Sequence, residues 1–397
     1  MSTLPTVEDV DLFCSEMVAP AAEDIELTAR FFPELLSEAA QLGLQSLLFE
    51  ADGSLDLARM ALVHESTERI AAESAAVSLA VSVARLHTYL LARYAASEVC
   101  DRWLQPTLRA ELFGAFAITE PHAGTDIRAL TTVARRQGDH YVLDGQKCWI
   151  GLAPVCSYAI VLAKVDHRER DADTIALVVD MASDGAVGAP GPELAGFRGM
   201  PNGTLTFEAC RVPVQNALAC DGFGGMMDGL NMARIEAASY SVGLLRGAIR
   251  EATGWANHRE AFGKPIAALP SIQSKIGRMV TDYRAARELV LRAGETFALG
   301  NGGDQAVISM AKMFASDAAR RHTDAALQIV AGAGMARNHP LQRMDRDAKV
   351  TQIFDGTSEI HETMLGRRVL REAANGLIGP SFFPDSNTAH EKTDNVR

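Results

Sequence analysis

The chain has little of what marks the specialised protein classes. It holds six cysteines, Cys14, Cys100, Cys148, Cys156, Cys210 and Cys220, with no CxxC pair and no metal-ligand spacing. That excludes a zinc or iron–sulfur module and points to reduced thiols in the cytoplasm. Positive charge is in deficit: 38 Lys and Arg face 50 Asp and Glu, a formal net charge of −12. Nucleic acid and anionic membrane are therefore poor candidates for the main partner, although a local basic pocket stays possible. No apolar run is read as reaching the roughly 18 residues of a membrane span. Acidic residues come early, and no apolar run follows a basic start, so no signal peptide is expected. Glycine is scarce over residues 1–113, with only Gly43 and Gly53.

What is present divides by texture. At 397 residues and 48% hydrophobic content, two or three domains are expected rather than one core. Residues 1–113 read as helical, with apolar spacing of helical period over Ala58–Ser78 and Ala80–Tyr94. From Gly114 to about residue 221 the segments are short and β-prone. Tyr141–Leu143, Tyr158–Ala163, Thr174–Val179 and Thr204–Phe207 suggest a small antiparallel β-domain. Residues 222–383 return to long helical patterns, each able to hold one helix, over Met226–Asn257, Ser271–Leu299, Asp304–Ala333 and Lys349–Ala374. Four such helices suggest a bundle. Residues 384–397 are polar and read as a disordered tail.

Five stretches carry chemistry. They are Ile118-Thr-Glu-Pro-His-Ala-Gly-Thr-Asp126, Lys147-Cys-Trp149-Ile, His258-Arg259-Glu-Ala-Phe262-Gly-Lys-Pro, Gln328-Ile-Val-Ala-Gly332-Ala-Gly334, and Arg346 through Ile360. Small residues in the first let backbone approach a flat ligand, and N–H groups there can bond its edge. Each reads more blandly alone: a generic turn, a buried strand tryptophan, a solvated helix-end arginine, an aspartate capping a helix. Together, over about residues 10–375, they make the chain resemble the FAD-dependent acyl-CoA dehydrogenase family.

The resemblance implies an N-terminal helical domain, a middle β-domain and a C-terminal four-helix bundle. It implies bound FAD, held by Phe116, Ile118, Thr119, Gly124, Thr125, Trp149, Gly151, Thr357 and Glu359. Arg259 and Phe262 resemble residues that a neighbouring subunit supplies, in a homotetramer, and Gln328 and Gly332 resemble a second signature of the cofactor site, with Arg343 and Asp347. Arg234, Phe354 and Gly356 would meet the substrate. Asp355 stands where the family has its glutamate base, one methylene shorter. The family's other base position falls on Ala233, and Glu236 is turned away from Arg234 by the helical period. No metal is expected.

Departures accompany the likeness. Gly151 replaces a threonine whose hydroxyl bonds the flavin, Ala331 replaces a glycine, and the stretch after Leu48 lacks paired glycines. The reaction implied is α,β-dehydrogenation of an acyl thioester, on CoA or a carrier protein, with an electron-transfer flavoprotein as acceptor. The rivals are other flavin chemistry, such as nitroalkane oxidation or monooxygenation, and an inactive subunit of a mixed assembly. Glu362 stands where the nitroalkane-oxidising branch has an arginine.

Overall fold

The computed structural model describes residues 4–50, 52–166 and 173–374; the tail expected from residue 384 lies outside them. Six helices come first: α1 (Val7–Phe13), α2 (Ala19–Thr28), α3 (Pro33–Gln41), α4 (Met60–Glu73), α5 (Ala75–Tyr94) and α6 (Ser97–Leu108). Thr6 and Asp9 open α1 with a reciprocal capping box. The break between α4 and α5 falls at Ser74 rather than after Ser78. Ser74 is extended (φ −152°, ψ 111°), and its hydroxyl accepts from the Val77 N–H, so it stops one helix and caps the next. In length and composition α5 could cross a membrane, which corrects the reading that no run is long enough. Here most of it, from Ala75 to Leu91, is buried inside the protein.

The sheet follows: β1 (Gly114–Ala117), β2 (Val133–Gln137), β3 (His140–Gly151), β4 (Tyr158–Val165), β5 (Thr174–Asp180), β6 (Ala186–Pro190) and β7 (Asn202–Pro213). Its order is β1-β4-β2-β3-β7-β6, with β5 also on β4. It is mixed rather than wholly antiparallel, because β4 runs parallel to both β1 and β2. The long excursion between β1 and β4 permits that pairing. Strand β4 is buried almost throughout, as its unbroken apolar run requires.

The C-terminal half holds α7 (Phe223–His258), a two-residue hairpin β8 (Glu260–Ala261) and β9 (Lys264–Pro265), α8 (Pro270–Ala298), α9 (Gln305–Val330), α10 (Pro340–Thr351) and α11 (Ser358–Ala374). The fourth helix expected over Lys349–Ala374 is in fact two. Asp355 (φ +56°) and Gly356 (φ +105°) are successive left-handed residues, which a right-handed helix cannot contain. One apolar core joins the first helices to the bundle through residues such as Val77, Leu90, Ile235, Leu244 and Ile308. The sheet keeps a second, smaller core around Leu143, Val161, Leu177 and Phe207.

Candidate active site

A cavity of about 880 Å³ lies where sheet, first helices and bundle meet. Its wall brings together Phe116, Ile118, Thr119, Gly124, Thr125, Trp149, Gly151, Arg234, Phe354, Asp355, Gly356 and Thr357. These come from segments more than two hundred residues apart, joined here by folding alone.

Buried Glu120 holds the first segment in place. Its carboxylate accepts from Thr131 N–H, Thr131 Oγ1, Thr132 N–H and Lys147 Nζ at 2.5 to 2.9 Å. Lys147 Nζ also donates to the Ile118 carbonyl at 2.9 Å. Burial would raise the Glu120 pKa, but hydrogen bonds from Thr132 and Lys147, and the Lys147 charge, hold it at about 2. A register shift in β3 between Lys147 and Ile150 leaves Trp149 at φ +58°. Its indole is therefore not packed in a strand core but is 59% exposed, at the cavity wall.

The turn between α10 and α11 presents Asp355. The capping role open to it in the sequence goes to its neighbour: Thr357 Oγ1 accepts from the Ile360 N–H at 3.4 Å. Among the described residues the Asp355 carboxylate accepts no hydrogen bond and forms no ion pair. Its backbone is fixed instead, since Arg234 Nε donates to the Asp355 carbonyl at 2.9 Å. Burial pushes the Asp355 pKa up to about 6, against the nearby Lys312 and Arg234 cations.

Two other carboxylates line the cavity, and both are engaged. Glu236 does reach the wall, which corrects the inference from helical period that it faces elsewhere. It is locked in a fork with Arg85, Nε–Oε1 at 3.1 Å and Nη2–Oε2 at 2.7 Å. Asp345 is paired with Arg320. Asp355 is thus the cavity carboxylate left free to take a proton.

Models of the acyl-CoA dehydrogenase N-terminal, middle and C-terminal domains match residues 6–111, 115–210 and 220–370 respectively. Two proteins of Geobacter metallireducens are similar along nearly their whole length. Cyclohexane-1-carbonyl-CoA dehydrogenase is 33% identical over 90% of this chain and 95% of its own. Cyclohex-1-ene-1-carbonyl-CoA dehydrogenase is 35% identical over 93% and 97%. The chain belongs to the acyl-CoA dehydrogenase family. Butyryl-CoA dehydrogenase of Megasphaera elsdenii has the same fold, with a TM-score of 0.85 at 28% identity over 94% of this chain and 100% of that one.

As an acyl-CoA dehydrogenase, the protein is an FAD-dependent oxidoreductase, and its cavity fits a flat flavin. A Cβ built on Gly151 would meet only Met200 Cε, at 3.4 Å, and one on Gly124 only Thr119 Cγ2, at 4.0 Å. Opposite Gly151 in the strand register stands Asn202, whose Oδ1 is buried at the cavity wall with no partner. An orphaned acceptor there is what a missing ligand leaves behind.

Five expected residues lie outside the cavity. Arg259 and Phe262 are on the exposed β8–β9 hairpin, where Phe262 is 90% exposed. Gln328, Gly332 and Glu359 are exposed as well. Arg343 and Asp347 serve packing: Arg343 Nη2 donates to the Glu73 carbonyl at 2.7 Å, and buried Asp347 accepts from the Phe197 N–H at 2.5 Å.

Sequence reasoning missed several wall residues. His87 is buried with neither ring nitrogen partnered, and burial lowers its pKa to about 3. Ser82 and Tyr240 bond each other. The available signal was a polar residue on an otherwise apolar helix face, which alone does not show that the face lines a cavity.

Proposed function

We propose that this enzyme removes hydrogens from the α- and β-carbons of an acyl-CoA whose α-carbon lies in a ring or at a branch, with Asp355 as the base. One observation carries the reading: a carboxylate free of cap and ion pair at the wall of a largely apolar cavity. When bound, FAD supplies the two-electron acceptor. The protein's own part is to place Asp355 against the α-proton and to bond the thioester oxygen as it gains charge. The Asp355 N–H suits that second task, since it donates to no group among the described residues. A carboxylate with a pKa near 6 is ionised at neutral pH and still basic enough to accept a proton.

The shorter side chain supports the ring. Aspartate withdraws the carboxylate by roughly one C–C bond, where about 1 Å matters to near-attack geometry. A bulkier α-carbon fills that gap. The name of one Geobacter relative, cyclohexane-1-carbonyl-CoA dehydrogenase, favours the same class. We further propose a homotetramer that passes electrons to an electron-transfer flavoprotein in the cytoplasm; six free thiols agree with a reducing compartment.

The test is anaerobic bleaching of the yellow holoenzyme. The panel holds cyclohexane-1-carbonyl-CoA, isobutyryl-CoA and butyryl-CoA, with the best acyl group also offered on a carrier protein. Fastest bleaching by a ring or branch on CoA is expected. Preference for the straight chain would refute the substrate class, and no bleaching by any thioester would refute the reaction.

A further inference from the structure

The site has a second working part that faces no ligand. Lys312 lies mid-way along α9, on the face that carries fully buried Ile308, Ala311, Ala315 and Ala319, and is itself 0% exposed. Among the described residues it forms no ion pair, and its ammonium makes one hydrogen bond, from Nζ to the Gly356 carbonyl at 2.5 Å. A buried lysine without a carboxylate partner is costly, and a fully apolar helix would pack there without it. Something about the turn it touches accounts for the charge.

That turn is clamped from two sides. Arg234 on α7 holds the carbonyl of Asp355, and Lys312 on α9 holds the carbonyl of Gly356. Asp355 is a non-glycine residue at φ +56°, a conformation that persists only when its surroundings impose it. We propose that Lys312 is a positioning residue for Asp355: it fixes the left-handed turn that carries the base, and its charge keeps the base ionised at neutral pH. This rests on the reading of Asp355 as base.

The groups facing Asp355 are few. Arg234, Glu236 and Tyr240 come from α7, Lys312 from α9, and His361 from α11; the Tyr240 phenol is kept neutral by burial. Glu236 is neutralised by Arg85 from α5. His361 is held neutral by burial, with its pKa lowered to about 3. Burial likewise lowers Lys312, to about 8, opposed by the Asp355 charge, so the lysine is still mainly cationic at pH 7. A cation beside a carboxyl lowers the carboxyl's pKa. Removing the cation therefore raises it and moves the acid limb of the pH–rate profile to higher pH.

Three variants separate hold from charge. Lys312→Arg keeps both, Lys312→Gln keeps a donor without charge, and Lys312→Met keeps neither. Two readouts apply to the holoenzyme: the pH profile of flavin reduction by the best thioester, and the substrate-free infrared titration of the Asp355 carboxyl, taken as a difference against Asp355→Asn. The expected result is an upward shift of one pH unit or more, a tenfold change in the ionised fraction on the acid limb, in Gln and Met but not in Arg. Met should also lose limiting rate relative to Gln. Superimposable titrations in all four proteins would overturn the proposal. So would a rate loss in Gln and Met with no shift, since the charge would then have no effect on the base, or failure of all three variants to bind FAD, which would make Lys312 a folding residue only. The infrared arm needs no turnover, so a shifted titration in a protein that no thioester bleaches would sink the reaction while leaving the lysine's effect standing.

Discussion

At the scale of single residues, the decisive one is Asp355. Asp355→Asn keeps size but cannot accept a proton, so reduction by substrate should fall on the order of 10²–10⁴-fold, with FAD content unchanged. In the unsubstituted enzyme the rate should rise with pH through about 6, because only the ionised carboxylate is a base. Stability runs the other way. The folded pKa of Asp355 lies above its unfolded value, so the folded state holds the extra proton between about 4 and 6 and loses that advantage as pH rises through 6. Asparagine never ionises. The melting temperature of Asp355→Asn should therefore gain on that of the unsubstituted protein from pH 5 to pH 7; a constant difference would show that the site does not penalise the charge. Asp355→Glu asks about shape. It should lose activity on ring substrates if the cavity is built around aspartate, and gain on straight chains if it is not. Gly151 is the second residue to test. The site has room for a side chain, so Gly151→Thr should fold and bind FAD, and the added hydroxyl should change the flavin's midpoint potential or its rate of re-oxidation by oxygen. Identical values for both would mark the position as silent.

At the scale of elements, most of the fold could be read in advance, and the exceptions share a cause. Strands β3, β4, β5 and β7 follow from short β-prone runs bounded by Gly and Asp, and α7, α8 and α9 from long helical periodicity. The Ser74 break and the split between α10 and α11 did not show, because apolar spacing continues across both: Val350, Ile353, Phe354 and Ile360 still suit one helix. Periodicity reports which residues face a core, whereas a single left-handed residue ends a helix without altering that pattern. The site was read on the same terms. Motif residues of the first segment, β3 and the base turn converge on the cavity, but Lys312 and His87, buried on apolar helix faces, carry no motif. Ala331 shows how a lone backbone torsion can be tested. It ends α9 at φ +58°, ψ −135°, a region that glycine alone occupies freely. Ala331→Gly should relieve that strain by more than the extra freedom it gives the unfolded chain, for a net gain of about 1 kcal/mol. Thermal and denaturant unfolding would read the gain, and a loss of stability would mean that the segment carries no strain.

At the scale of the whole molecule, one chain encloses the cavity yet leaves part of the expected cofactor set outside it. Arg259, Phe262, Gln328 and Gly332 all face outward, and Phe262 is among the most exposed large apolar side chains, at 90%. A phenylalanine left in water forgoes about 1.5–3 kcal/mol of burial, and here the hairpin that carries it also holds the left-handed Phe262 backbone, φ +54°. Scattered exposed apolar residues are ordinary; an arginine and an aromatic on one projecting hairpin suit a phosphate and a flat ring, with planar guanidinium to oxygen and ring against ring. If a second copy supplies them, cofactor and assembly are coupled. Each chain's affinity for FAD then depends on a neighbour, and FAD should in turn hold the neighbours together. Sedimentation of the yellow protein should give a mass of four chains with about one FAD each, and removing FAD should weaken the assembly. Arg259→Ala with Phe262→Ala should lower FAD retention at least tenfold, although neither residue lines the cavity of its own chain, and added FAD should restore the tetramer only partly. A monomer that keeps one tightly bound FAD, or a double variant that retains FAD as the unsubstituted protein does, would show that the cavity binds the cofactor within one chain and that the hairpin serves something else.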